Sequence, residues 1–319
     1  MNRFIQAFPF GSLLIFGVVA TFLVSVATLF DGSHRYLELL VHFKLQYFLV
    51  SLFLLSWALL KKSKLLAVLM VCCVLVNGWF VMPWYITGAV AQEVGVKQSV
   101  RLLHSNVLSQ NQNHEQLLAL VESEKPQVII VQEVTDNWVA ALKTLSSNYP
   151  YSYEVPRMDN FGIALYSQYP IVQVQRENWG YMGLPSINAT LNIAGQNVTL
   201  LSTHPLPPTT KDYFDSRNAQ LNDMVTDIKQ IEGPLLVVGD FNITMWSRYY
   251  RPLEENTGLR NVRRGMGILP TWSTKLPLAQ IPIDHCLVSD HFEVQKARLG
   301  PNIGSDHLPL IVDLFIDRS

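Results

Sequence analysis

The stretch LLVVGDFN (235–242) decides the reading of this chain: four aliphatic residues, a glycine, then a carboxylate and a carboxamide on either side of Phe241. A short, wholly apolar run bounded by turn residues reads as a strand buried on both faces. The polar groups after it stand where the backbone leaves the sheet, which is where α/β domains build their sites. The pattern repeats outward in both directions. RLLHSN (101–106), VIIVQE (128–133), TLLSTH (199–204) and IPIDH (281–285) each end an apolar run on a polar side chain, and GSDHLP (304–309) adds a further pair. The residues so placed are Asn106, Glu133, His204, Asp240 with Asn242, Asp284, and Asp306 with His307. One of them would mean little, because every strand must end; so many, mixing carboxylates, carboxamides and imidazoles, point to one rim.

Between these runs the periodicity changes. Leucines at 117, 118 and 120 predict an amphipathic helix over 114–123, with further helices over 138–145 and 216–231. Strands are predicted over 100–106, 128–132, 151–155, 162–166, 171–176, 186–193, 198–203, 235–238, 283–288 and 310–315, with Tyr169-Pro170 and Gly195 as punctuation. Many strands with helices in a few places make a layered α/β domain. No stretch inside it resembles a linker, so one domain suffices.

This domain does not account for the whole chain. The 319 residues are 49% hydrophobic and 15% charged, where an ordinary soluble domain is about 25% charged. Residues 1–90 explain the difference, because their only charges are Arg3, Asp31, Arg35, Glu38, Lys44, Lys61, Lys62 and Lys64. An all-α transmembrane anchor is expected over 1–90, followed by a short linker (91–99) and a catalytic domain over 91–319. The runs 8–30 and 65–87 clear the roughly 20 residues a bilayer core requires. The run 45–60 is shorter and spans if Lys44 and Lys61 snorkel. Three helices are therefore expected, at about 8–30, 45–60 and 65–87; the alternatives are two spans with a re-entrant middle segment, and a cleaved signal peptide over the first run. The basic turn Lys61-Lys62-Ser63-Lys64 is expected on the cytoplasmic side, which places the catalytic domain on the extracytoplasmic (periplasmic) side of the inner membrane. Three cysteines give no disulfide framework, and no repeat of 20–50 residues is present.

The residue types at the rim suit a hard divalent ion and a phosphoester. Oxygen donors such as Glu133 and Asp306 prefer Mg2+ or Mn2+, and the absence of cysteine among the candidates argues against structural zinc. Phosphoester hydrolysis needs an activated water, neutralised oxygens and help for the leaving group, and two histidines with a carboxylate partner suit the first and last. Each residue also has a bland reading: Asn106 as a turn cap, Asp240 and Asn242 as turn formers, His104 and His285 as packed histidines, Arg217 and Gln220 as packing or solvated positions on their helix.

HSNV (104–107), VQE (131–133), FGIALYSQYPI (161–171), STHPLPP (202–208), GDFN (239–242), IDHCLVS (283–289) and GSDHLP (304–309) together resemble the endonuclease/exonuclease/phosphatase superfamily, in that family's order. GLRNVRRGMGILPTW (258–272) is similar to a stretch of its bacterial membrane-anchored members, which carry three N-terminal helices. The resemblance implies a four-layered α/β/β/α sandwich (deoxyribonuclease-like) with its site at one rim. It implies Glu133 as principal metal ligand with Asn106 and Asp306 nearby, and Asp240 and Asn242 positioning water and phosphate. His307 oriented by Asp284 becomes general base or phosphate contact, and His204 acid or hydrogen-bond donor.

Charge bears on the substrate. Residues 91–319 hold 18 basic and 23 acidic side chains, whereas proteins that grip long nucleic acid show a basic footprint. Basic residues gather only at Arg248, Arg251, Arg260, Arg263 and Arg264, and Arg263 and Arg264 are taken as substrate-binding candidates, with local salt bridges to Glu254 and Glu255 as the alternative. The expected partners are the lipid bilayer and a phosphoester, lipid-linked in preference to nucleic acid. A membrane-tethered nuclease and a non-catalytic membrane scaffold are the other readings.

Overall fold

In the computed structural model, which describes residues 10–86 and 97–317, the chain divides into two units, Met1–Pro83 and Trp84–Ser319. The expected linker lies outside the described residues except for its last three positions, which belong to a strand.

The described part of the first unit is helical: α1 (Phe10–Ala27), α2 (Arg35–Val41), α3 (Lys44–Leu60) and α4 (Lys64–Val81). Two stretches are long and apolar enough to cross a membrane, Gly11–Phe30 and Lys64–Trp84. The expected middle span falls on α3, which meets the short α2 at a 63° bend. Three spans are thus not shown; the bent pair would have to count as one. Val18, Leu54, Met70 and Cys73 form the unit's small apolar core. Hydrogen bonds join the helices inside it: Lys44 Nζ donates to Thr28 Oγ1 at 2.6 Å and Asn77 Nδ2 to Ser25 Oγ at 2.9 Å.

The second unit carries β1 (Lys97–Asn106), α5 (His114–Glu124), β2 (Val128–Gln132), α6 (Asp136–Leu142), β3 (Tyr151–Val155), β4 (Ile163–Ser167), β5 (Ile171–Glu177), β6 (Ser186–Ile193), β7 (Gln196–Ser202), α7 (Lys211–Ile228), β8 (Leu235–Asp240), α8 (Pro252–Glu255), β9 (Arg260–Asn261), β10 (Asp284–Val288), β11 (Phe292–Leu299) and β12 (Leu310–Asp317). They build two six-stranded sheets, ordered β11-β12-β1-β2-β4-β3 and β5-β6-β7-β8-β10-β9.

Alternation explains the layers. Successive strand residues face opposite sides. Val100, Leu102, Val128, Ile130, Ile163 and Leu165 of the first sheet therefore meet Ile187, Ala189, Leu191, Val198, Leu200, Leu236 and Val238 of the second in one core. The intervening residues Leu103, Ile129, Val131, Ala164 and Tyr166 face outward and are covered by Leu117, Leu120 and Val121 of α5 and Trp138 and Leu142 of α6. On the second sheet Leu201 and Val237, off the shared core, are also fully buried, as are Leu221, Met224, Val225 and Ile228 along one face of α7. Both polar-ended strand pairs, β1 with β2 and β7 with β8, run parallel, so their C-terminal residues emerge at the same edge.

Besides the short α2, α8 and β9, which the periodicity does not predict, two larger elements depart from the sequence expectation. β11 was not expected: its alternation (Phe292, Val294, Ala297, Leu299) is interrupted by a bulge between Val294 and Lys296, and an extra residue breaks a period of two. Helix α7 begins five residues earlier than expected, because Thr210 caps it by accepting from Tyr213 N at 3.2 Å.

Candidate active site

Register brings the polar strand ends together. In the parallel pair β1–β2, Asn106 stands opposite Gln132, so Glu133 is the next residue along. In the antiparallel pair β10–β8, Asp284 stands opposite Asp240. The two edges are joined by Gln132, fully buried, which reaches from the first sheet to the second. Its Oε1 accepts from Asp240 N at 2.8 Å and its Nε2 donates to Thr203 O at 2.9 Å.

Asn106 Nδ2 then donates to two carboxylates at once, Glu133 Oε1 at 3.0 Å and Asp240 Oδ2 at 3.2 Å. Its Oδ1 accepts from Leu108 N at 3.1 Å, which fixes the amide in this orientation. Ser109 N donates to Glu133 Oε2 at 3.1 Å. Glu133 holds a left-handed backbone, φ 64°, which costs an L-residue roughly 1–2 kcal/mol. Its N–H donates to Gly162 O at 2.8 Å. Gly162 must be glycine: a Cβ there would lie 1.9 Å from Val134 O.

Around Asp240 Oδ2 stand two imidazoles, His204 Nε2 at 3.5 Å and His307 Nε2 at 3.6 Å. Asp240 Oδ1 accepts from Asn242 N at 2.9 Å, and Asn242 Nδ2 donates to Pro205 O at 2.9 Å. Behind His307, its Nδ1 is 2.8 Å from Asp284 Oδ2. The other oxygen of Asp284 is 2.9 Å from His104 Nε2. A buried chain thus runs His104, Asp284, His307, Asp240. Burial works against charge on Asp284 and His307, yet their partners prevail. Asp284 is held well below the usual carboxylate range by His307 and His104. His307 is raised to about 10 by Asp284 and Asp240 despite its burial. His204 is raised in the same way, by Asp240 and then Glu133.

Asp306 sits one residue before His307 and its Oδ2 accepts from Trp272 Nε1 at 3.1 Å. Trp272 and Thr271 belong to a segment that also steadies the other side. Thr271 Oγ1 accepts from Ile283 N at 3.4 Å and Asp284 N at 3.3 Å. Ser305 Oγ donates to Asn106 O at 2.8 Å, closing the rim.

Eight of the ten site residues named from sequence lie in or beside this arrangement. The two arginines do not. Arg263, expected to face substrate, is fully buried and donates through Nε to Ile268 O at 2.8 Å and through Nη2 to Leu269 O at 3.1 Å; it shapes its own turn. Arg264 pairs with Glu254, Nε to Oε1 at 2.8 Å, and covers the Trp84 ring at 4.9 Å.

His104 was read as a packed histidine, and the structure makes it the end of the buried chain. The available signal was parity, since His104 and Asn106 are two apart on a strand and share a face. Arg217 and Gln220 hold the loops of the site: Arg217 Nη1 donates to Asn242 O at 3.0 Å and Gln220 Nε2 to Thr203 Oγ1 at 2.7 Å. His285 is packed, between Ile243 O at 2.8 Å and Asn261 Nδ2 at 3.0 Å.

The donor set fits a hard divalent cation. Four carboxylates, of Glu133, Asp240, Asp284 and Asp306, crowd three histidines, and one neutral amide bridges two of the carboxylates. Like-charged groups this close need a counter-ion or protons. Among the described residues, Asp240, Asp284 and His307 form a trio of potential ligands with atoms within 4.8 Å of one another. Both oxygens of Asp284 are already engaged by imidazoles, however, which leaves the Glu133 side as the better seat.

Known proteins share this fold. The humanized TDP2 of D. rerio superposes with a TM-score of 0.57 at 16% identity, covering 68% of this chain and 98% of that one. The human Nocturnin catalytic domain with bound sulfate gives 0.56 at 22%, covering 69% and 96%. An endonuclease/exonuclease/phosphatase family protein of Bacteroides thetaiotaomicron gives 0.58 at 17%, covering 70% and 99%. Among curated sequences, UPF0294 protein VV2535 of Vibrio vulnificus is 36% identical over 99 residues, 30% of this chain. The match spans only 33% of that relative's length. UPF0294 protein VP2298 of Vibrio parahaemolyticus is 25% identical over 230 residues, covering 68% of this chain and 78% of that one. The Endonuclease/Exonuclease/phosphatase family matches residues 103–307, more than half of the chain and all of the rim just described, and the chain belongs to that family.

Proposed function

We propose that the chain is a membrane-anchored, divalent-metal-dependent phosphoester hydrolase whose substrate is a lipid head group or another envelope phosphoester. The observation that carries the hydrolase reading is the convergence at Asp240 Oδ2, where Asn106, His204 and His307 meet within 3.6 Å. Two imidazoles and a carboxamide that all face one carboxylate oxygen surround a position suited to a phosphoryl group and its attacking water.

Glu133, Asn106 and Asp306 would hold Mg2+ or Mn2+, which when bound neutralises phosphoryl oxygen charge. The chain's own residues do the rest. Asp240, its Oδ1 anchored by Asn242 N, orients the water with Oδ2. His307, held by Asp284 and backed by His104, accepts a proton at Nε2 or donates one to a phosphoryl oxygen. His204, against the Phe161 ring at 5.1 Å, donates from Nε2 to the phosphate or the leaving oxygen. Helix α7 serves as the outer layer of the second sheet, completing four layers.

Two stretches able to cross a membrane support the anchor. The acidic balance of residues 91–319 and their attachment to apolar helices support a lipid-level substrate over free nucleic acid. The basic turn at Lys61–Lys64 supports a catalytic unit outside the cytoplasm, and a C-terminal reporter active only outside the cytoplasm checks it.

The test is hydrolysis by the purified full chain, with and without Mg2+, of bis(p-nitrophenyl) phosphate, phospholipid vesicles and plasmid DNA, beside Glu133→Ala and His307→Ala. Magnesium-dependent release from the ester and the vesicles, lost in both variants, is expected. DNA cleavage lost in both variants would replace the lipid reading with the tethered-nuclease one. No turnover on any of the three would favour the scaffold.

A further inference from the structure

The second unit buries its leucines with one local exception. Among its described residues the exposed leucines are Leu276 and Leu278, 64% and 93% accessible, and both belong to one eight-residue excursion, STKLPLAQ (273–280). The excursion leaves and returns at an antiparallel pair, with Trp272 N donating to Ile281 O at 3.0 Å and Ile281 N to Trp272 O. Its tip is a single turn, Pro277–Ala279, closed by Leu276 N on Ser273 O at 3.1 Å and Ala279 N on Leu276 O at 2.8 Å. The apolar tip is therefore shaped by its own bonds.

The base is mounted on the candidate active site. Thr274 N donates to Asp306 O at 2.9 Å, Thr274 Oγ1 to Ser305 O at 3.0 Å, and Trp272 Nε1 to Asp306 Oδ2. Whatever covers Leu276 and Leu278 is held one short hairpin away from Asp306 and His307.

We propose that 273–280 is a lipid-inserting hairpin: Leu276 and Leu278 enter the interfacial layer of a bilayer, the exposed Lys275 beside them stays among phosphate head groups, and the rim at Asp306–His307 is thereby set at head-group level. Two observations select a bilayer as occupant. The same chain carries helices long and apolar enough to cross one. The tip joins apolar side chains to a cation, the combination that partitions into a lipid interface. The proposal deepens the lipid-phosphoester reading by giving that site its means of meeting lipid, but its physical test does not depend on activity.

The test uses the full chain in lipid nanodiscs with Leu278→Cys in a Cys72→Ser background, labelled with an environment-sensitive dye. Position 278 is then the one the dye reaches, since the exposed Cys72 is removed and Cys73 and Cys286 are buried. A blue-shifted emission that lipid-borne doxyl groups quench is expected, while the same dye on Asp290→Cys, at a side chain 97% accessible, stays aqueous. A dye at 278 that lipid-borne quenchers do not reach overturns the proposal, including the case where a protein partner or second copy shields it from soluble iodide. Separately, Leu276→Ser with Leu278→Ser is expected to cut hydrolysis of vesicle lipid about tenfold and to leave hydrolysis of bis(p-nitrophenyl) phosphate unchanged. An equal loss on both substrates also overturns the hairpin. If the unaltered chain hydrolyses neither, the functional reading fails and the dye measurement still decides the hairpin.

Discussion

Gln132 carries a contact between the two sheets that can be weighed quantitatively. It satisfies two main-chain groups of the opposite sheet, Asp240 N–H at 2.8 Å and Thr203 C=O at 2.9 Å, and it is fully buried. Replacement by Met keeps the volume and removes both bonds. Each orphaned buried group costs about 1–3 kcal/mol, so the loss is roughly 2–6 kcal/mol. For a domain of this size 1 kcal/mol shifts Tm by about 2–4 °C, and a fall on the order of 10 °C is expected for the second unit. The assay is thermal unfolding of the full chain in detergent, followed by the fluorescence of the buried Trp138 and Trp246. Gln132→Glu supplies the sharper control. Its carboxylate can accept from Asp240 N but cannot donate to Thr203 O, whereas the protonated acid can do both. The Glu variant should therefore be penalised at pH 8 and recover toward the unaltered chain at pH 5. A Met variant within about 1 °C of the unaltered chain would refute the pin, as would a Glu variant whose deficit is the same at both pH values.

Three further outcomes follow from the site. Asp284→Asn should lower kcat on bis(p-nitrophenyl) phosphate by roughly 10²–10⁴, and His104→Ala should lower it less while altering the pH profile, because Asp284 then loses one of its two imidazoles; unchanged profiles would detach His104 from the site. Gly162→Ala sets a Cβ 1.9 Å from a backbone oxygen, so a loss of more than about 3 kcal/mol should accompany loss of Mg2+-dependent turnover, and a stable, active variant would contradict the geometry. His285 is lowered to about 3 by burial and by Arg263, against about 6.5 when unfolded. The unfolded chain therefore binds a proton below pH 6.5 that the native chain refuses, and stability falls as pH drops from 6.5 toward 3, by about 2 kcal/mol between 6.5 and 5. His285→Gln should remove that share of the slope, which parallel unfolding free energies across pH would disprove.

The strands of the second unit and the rim residues were legible because buried strands leave unbroken apolar runs and the rim begins where each run stops. What escaped has physical reasons. A bulge concealed β11 by breaking its alternation. Arg263 looked like a surface cation because sequence does not show that Ile268 O and Leu269 O await it. His104 looked like packing because its partner lies 180 residues away, although its parity with Asn106 was visible. The middle apolar run is short for a span and counts as one only if Lys44 and Lys61 snorkel, and nothing in it reveals the 63° bend between Val41 and Lys44.

Glu133 occupies a left-handed backbone beside three other carboxylates, a position where glycine or asparagine would sit with less strain. Selection for thermal stability alone, in a library screened without its substrate, would therefore favour the loss of this side chain. Descendants kept for robustness would retain both sheets, the core and the apolar helices while drifting toward silence, so that in this lineage an intact Glu133 is the mark of continued use.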